Sequence, residues 1–241
     1  MGGRKAPLTI VAPAGIKVWL EATCEATQLC LPFALEFIAS EDLPSVEFEN
    51  MAVATFALSH RVASYAYGFT ERKVDADLNI KKLTQKGIPR GPLWGQLKQG
   101  FDVEFAGEQL KSQDFLIFKN KPRKIVIAGD NDQPDLLKDA CAGAQVLVHE
   151  ATYTEEMAQK AGDVGHSYAK LVAEFAESVQ LPNLVLTHFS PRYQLNPHAA
   201  PSIEDIRKEA QSVYSGSLYL AQDFGEYNVD KSGRFSELAG E

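Results

Sequence analysis

The chain has 241 residues, 45% of them apolar and 23% charged, with a formal net charge of -8 at pH 7. That length suffices for one large domain or two small ones, and the composition is that of a soluble globular protein with a sizeable core. No apolar run is long enough for a membrane helix, and the basic start Met1-Gly2-Gly3-Arg4-Lys5 lacks the apolar stretch that a secretory signal carries behind it.

Residues 8–12 predict a strand, stopped by Pro13 and Gly15, and residues 16–31 carry Val18, Leu20, Ala22 and Leu29 at helical spacing. Strands are predicted over 45–49, 51–59 and 64–70, and a helix over 74–86. Gly87-Ile88-Pro89-Arg90-Gly91-Pro92 is a cluster of breakers. A strand over 124–128 precedes a helix over 134–142. A strand over 146–148 precedes helices near 154–161 and over 167–179. A strand over 184–186 precedes a helix over 202–213, and 218–220 is the last core strand. Buried strands alternating with helices predict an α/β fold.

Charge is unevenly spread. Residues 72–124 hold 12 Lys and Arg against 6 Asp and Glu, a net of +6 on a body that carries -14. Such a segment is either a solvated loop or a patch for a polyanion such as RNA; residues 72–123 are the one candidate subdomain. Cys24, Cys30 and Cys141 make neither an even framework nor a CxxC zinc spacing. They read as reduced thiols of a cytoplasmic protein.

The strand ends carry the chemistry. Phe56-Ala57-Leu58-Ser59 runs into His60, Ile125-Val126-Ile127-Ala128-Gly129 into Asp130, Val146-Leu147-Val148 into His149-Glu150, and Leu184-Val185-Leu186-Thr187 into His188. Ligands of α/β sheets bind outside the carboxyl ends of strands, and imidazole with carboxylate suits zinc or manganese. Each residue alone also has a structural reading, as a hydrogen-bonded histidine or a turn aspartate. His166, in Gly165-His166-Ser167, stands at a predicted helix start, where it could cap the helix or face a phosphate. His198 lies in a Pro-flanked surface loop.

These words together resemble one family. His149-Glu150-Ala151-Thr152-Tyr153 is similar to the HEAT motif of RNase Z, and Gly165-His166-Ser167 to its HST motif. Residues 186–193 resemble its late metal-ligand segment, and residues 88–93 the motif of its tRNA-gripping exosite. Gly129-Asp130-Asn131 stands where the family has Gly-Asp-Thr, and Ala221-Gln222-Asp223-Phe224 resembles its closing strand. The resemblance implies a metallo-β-lactamase αββα sandwich over residues 1–241, with 72–123 as an exosite-like insertion. It implies a two-zinc phosphodiesterase, with manganese as an alternative ion, that cuts the 3′ trailer from precursor tRNA, in the cytoplasm and as a homodimer. His60 and His188 would each bind a metal, and Asp130 would bridge. His166 would meet the scissile phosphate, with Glu150 orienting or polarising it. Ser190 and Arg192 would hold phosphate oxygens, and Arg90, Gly91 and Pro92 would grip the tRNA.

One departure is large. The family's His-x-His-x-Asp-His motif is absent, since no histidine precedes His60, and Gly3 to Ile10 resembles the segment that follows it. The fold is therefore expected to be N-terminally incomplete, with edge strands and apolar surface exposed. Two ions need about seven to eight protein ligands, so the chain alone is expected to be weakly active or inactive. Two alternatives follow: a non-catalytic RNA- or partner-binding remnant of the fold, and a related hydrolase of small esters or phosphodiesters. Asn131 in place of Thr is polar and need not disturb Asp130.

Overall fold

In the computed structural model, residues 3–42 and 44–238 are described; Met1 and Gly2 of the basic N-terminal run lie outside the described residues. Strand β1 (Leu8–Ala12) pairs in parallel with β2 (Leu35–Ala39), joined by helix α1 (Ala14–Ala26). No residue of α1 is buried, and Val18 and Trp19 are more than half exposed. β3 (Ser45–Glu47), β4 (Met51–Ala57) and β5 (Tyr65–Glu71) then form an antiparallel meander.

The basic segment follows. β6 (Ala76–Leu78) pairs with β9 (Leu116–Phe118) and closes it at the base. Between them lie α2 (Ile80–Gln85), α3 (Pro92–Lys98) and the hairpin β7 (Val103–Phe105) with β8 (Glu108–Leu110). These elements bury their own small core of Leu83, Ile88, Leu97, Val103, Leu110 and Phe115.

The remainder alternates strand and helix: β10 (Lys124–Ala128), α4 (Lys138–Cys141), β11 (Val146–Glu150), α5 (Ala158–Val164), α6 (Ala169–Ser178), β12 (Asn183–Thr187), α7 (Ile203–Gln211) and β13 (Ser217–Leu220). The hairpin of β14 (Tyr227–Val229) and β15 (Phe235–Glu237) comes last. One seven-stranded sheet has the order β13-β12-β11-β10-β5-β4-β3. Its β10 to β13 half is parallel, whereas β5 runs antiparallel to β10 and β4 antiparallel to β5. Two reversals restore direction, so β4 ends on the same edge as β10, β11 and β12. That edge is where the site forms.

Alternation along the strands divides the core between the faces. Leu147, Leu184 and Leu186 face Val172 and Ala176 of α6 and Ile206 and Ala210 of α7, in the main core. Val146 and Val185 face the terminal hairpin, where Tyr219 meets Phe235 edge-on at 4.9 Å between centroids. Edge-to-face contact suits the ring quadrupoles. Among the described residues no helix is long and apolar enough to cross a membrane, and all three cysteines are free.

Several sequence expectations change. The helix expected over 74–86 is a strand followed by a shorter helix. Asn79 divides them, because its side chain accepts from the Lys82 backbone N–H and starts α2. The helix expected over 134–142 divides into a 3-10 turn, Pro134–Leu137, and α4. Residues 221–224 form no strand: β13 ends at Leu220, and Phe224 is fully exposed with φ 65°. The short pairs β6–β9 and β7–β8 and the strands β2, β14 and β15 have no strong period in the sequence.

Candidate metal centre

His60 lies three residues past β4, Asp130 two past β10, Glu150 is the last residue of β11, and His188 follows β12. The shared strand direction brings these residues to one edge. His60 Nε2 stands 3.8 Å from one Asp130 oxygen and His188 Nε2 3.7 Å from the other. His166 comes from the loop between α5 and α6, three residues before α6 rather than at its first turn. Its ring centroid is 5.1 Å from that of His60 and 5.2 Å from that of His188. Three imidazoles thus stand in a row beside one carboxylate.

Each ring is held from behind. His60 donates from Nδ1 to the Gly165 carbonyl at 2.7 Å. A carbonyl only accepts, so Nδ1 carries the proton and Nε2 presents its lone pair. Gly165 makes this possible. It caps α5 in the left-handed region, φ 75°, and a Cβ there would lie 2.9 Å from His60 Nδ1. His166 likewise donates from Nδ1 to Glu150 Oε1 at 3.1 Å.

Glu150 is 1% exposed and accepts from five donors. They are the backbone N–H groups of Asn131, Thr152 and Ser167, the Thr152 hydroxyl and His166 Nδ1. A carboxylate so fully engaged has no lone pair left for a cation, so it orients side chains rather than binding metal. His60, Asp130 and His166 each offer one ligand atom, all within 4.8 Å of one another. Imidazole nitrogens with engaged Nδ1 atoms, next to a carboxylate with two open oxygens, are a donor set that fits a divalent zinc-type ion.

His149, a strand-end histidine like the others, takes the structural role. It is completely buried, donates from Nδ1 to the Glu150 carbonyl and accepts at Nε2 from the Asn131 amide. Burial holds its imidazole below the usual histidine range. Asn131 is also fully buried. Its Oδ1 accepts from the Ser59 and Gln133 backbone N–H groups, and its carbonyl accepts from the Ser167 hydroxyl at 2.6 Å. It ties the ends of β4, β10 and β11 to the His166 loop. The sequence marks Asn131 only as a polar neighbour of Asp130; its partners other than Gln133 lie 18 to 72 residues away and meet it only on folding.

Ser190 is tied to Thr152 by a backbone hydrogen bond of 3.1 Å, which fixes the loop after His188. The Arg192 guanidinium lies 5.9 Å from the Tyr153 ring centre. Arg90, Gly91 and Pro92 lie on the separate small core, where Pro92 opens α3 and Arg90 stacks over Trp94. His198 is exposed, as its loop predicts.

A sheet that gathers strand-end histidines and an aspartate at one edge, with helices over one face, is that of a metallo-β-lactamase fold protein. Two solved structures share the fold. The metallo-beta-lactamase fold protein YhfI from Bacillus subtilis matches at a TM-score of 0.54 with 17% identity, over 96% of this chain and 65% of that one. Human tRNase Z, short form, matches at 0.52 with 23% identity, over 90% and 66%. The chain belongs to the ribonuclease Z family. It is 44% identical to a ribonuclease Z of Pseudomonas putida (strain W619) over 241 residues, 100% of this chain and 75% of that protein. It is 45% identical to one of Marinobacter nauticus, over 96% and 72%, and 34% identical to one of Brevibacillus brevis, over 93% and 70%. No family model matches the chain.

Proposed function

We propose that the chain is a metal-dependent endoribonuclease of the ribonuclease Z type, acting on precursor tRNA to remove its 3′ trailer. The observation that carries this reading is Asp130, whose two oxygens each face a strand-end histidine, at 3.8 Å and 3.7 Å. His60 and His188 would each hold a metal and Asp130 would bridge, with zinc the expected ion and manganese the alternative. Such ions, when bound, supply Lewis-acid polarisation and an activated water.

The chain's own groups do the rest. His166, fixed through Nδ1 by Glu150, turns Nε2 to the scissile phosphate and, when it takes a second proton there from solvent, hands that proton to the leaving oxygen. Ser190 and Arg192 hold phosphate oxygens, a task that suits a guanidinium fork. The segment 72–123 is the exosite, gripping tRNA through Arg90, Gly91 and Pro92 on the small core. Folding leaves part of its charge uncompensated. Arg72, Lys73, Lys86, Lys119 and Arg123 are ion-paired, whereas among the described residues Lys81, Lys82, Arg90, Lys98, Lys111 and Lys121 enter no ion pair. Those six cations are the expected phosphate contacts. The setting is cytoplasmic and the assembly a homodimer.

The ligands in hand are too few for two tightly held ions, so turnover by this chain alone is weak. The test measures bound zinc per chain and cleavage of a precursor tRNA at excess protein. At most one tightly held ion and slow cleavage, both lost in Asp130→Ala, are expected. Two tightly held ions with rapid multiple turnover would overturn the weak-activity statement. Absence of both metal and cleavage would overturn the nuclease reading. In that case salt-sensitive, metal-independent tRNA binding through the small core marks an RNA-binding role instead.

A further inference from the structure

His188 is a non-glycine residue in the left-handed region, φ 58°, a conformation that persists only where its surroundings hold it. What holds it is Thr152, 94% buried. The Thr152 hydroxyl lies 2.7 Å from Glu150 Oε2, 2.9 Å from His188 Nδ1 and 3.0 Å from the His188 carbonyl. A hydroxyl has one proton for these three neighbours. The shortest contact, and the one to a carboxylate, takes it, because hydrogen bonds to ionised acceptors are the stronger ones. The hydroxyl oxygen is then an acceptor towards His188, so Nδ1 must bring the proton. Nε2 is left with its lone pair, 3.7 Å from Asp130.

We propose that Thr152 is a positioning residue that relays the Glu150 carboxylate to His188 and fixes its ring as the Nδ1–H tautomer. Glu150 then sets two rings at once, His166 directly through Oε1 and His188 through Oε2 and Thr152. A neutral imidazole without such a partner prefers its proton on Nε2, the atom that faces Asp130. The relay therefore matters for metal binding, and in that respect it rests on the metal-centre reading above; the tautomer itself does not.

The experiment is a long-range proton–nitrogen correlation spectrum of the full chain, metal-free and at a pH where the imidazoles are neutral, with the His188 signals assigned from His188→Gln. The expected result is His188 protonated at Nδ1 in the wild type and in Thr152→Ser, with that preference lost in Thr152→Val. Zinc affinity should fall about tenfold or more in Thr152→Val and be kept in Thr152→Ser. Wild-type His188 protonated at Nε2, or an unchanged tautomer in Thr152→Val, would overturn the relay. The expected tautomers in a wild-type chain that binds no zinc would support the relay and overturn the metal centre. If Thr152→Val does not fold, the wild-type tautomer decides alone.

Discussion

His60 and Gly165, 105 residues apart, meet at 2.7 Å, the ring nitrogen of one donating to the carbonyl of the other. A Cβ on Gly165 would stand 2.9 Å from that nitrogen. Gly165→Ala therefore meets two separable penalties. The left-handed backbone costs an L-residue about 1–2 kcal/mol, and the methyl group displaces the His60 ring. Gly107 has a similar φ, 78°, with nothing within 4 Å of its would-be Cβ. Both alanine variants should melt earlier, by about 2–4 °C for each kcal/mol lost, but only Gly165→Ala should also weaken zinc binding. Equal zinc affinities in the two variants would show that Gly165 does not position His60.

Metal-linked stability tests the role proposed for Asp130. A ligand that binds only the folded state stabilises it by about 2.7 kcal/mol at a hundredfold excess over its dissociation constant. Thermal melts with added zinc should shift upward in the wild type and return on addition of a chelator. Asp130→Ala should melt at one temperature under all three conditions. A full zinc shift in that variant would place the ion elsewhere.

Asn131 is the predicted stability hot spot beneath the site. Its side chain serves the backbone N–H groups of Ser59 and Gln133 and the Nε2 of His149, all without solvent at the asparagine itself. Asn131→Ala strands these groups, and a buried unsatisfied group costs about 1–3 kcal/mol. Denaturant titration should show a loss of at least that size, with Asn131→Thr intermediate because a hydroxyl recovers some of the contacts. A neutral Asn131→Ala would mean that the network contributes nothing to stability.

Glu71 and Arg123 give the fold an acid-sensitive clasp. Arg123 binds both Glu71 oxygens, at 3.0 Å and 2.7 Å, and donates a third guanidinium bond to the Val229 carbonyl at 2.9 Å. It thus joins β5 to the terminal hairpin. Its hydrogen bonds hold the Glu71 carboxyl below the usual glutamate range. A depressed folded-state pKa means stability that is fully present above the unfolded value of about 4.3 and is lost as pH falls through the folded value. Glu71→Gln should flatten the stability profile below about pH 4.3 and lower stability at neutral pH. The pair is partly exposed, so added salt should reduce the difference. Parallel acid profiles of wild type and variant would refute the clasp.

Much of the sheet half of this protein is local chemistry. Residues 8–12, 124–128 and 184–186 are apolar, β-branched runs bounded by breakers, and they form strands because nothing competes with that pattern. His60, Asp130 and His188 were legible as site candidates because each follows a mainly apolar run, and strand ends are where α/β sheets bind. The small pairs β6–β9 and β7–β8 were not, because three-residue strands have no period to read and exist only through partners across the segment. The same limit explains the helix expected over 74–86: Asn79 acts as a cap only once Phe115 receives its backbone N–H.

Within the site, sequence alone determined which residue types were available, and tertiary structure decided which did what. His60, His149 and His188 look alike in the chain, each after an apolar strand. Burial then makes His149 a neutral structural residue, while the shared direction of β4, β10 and β12 brings the other two to opposite oxygens of Asp130. Asn131, Thr152 and Gly165 stand inside quoted motifs, but nothing along the chain says which contacts each makes. Their parts depend on hydrogen bonds spanning 2 to 105 residues, and such bonds follow from the packing of strand ends rather than from any pattern along the chain.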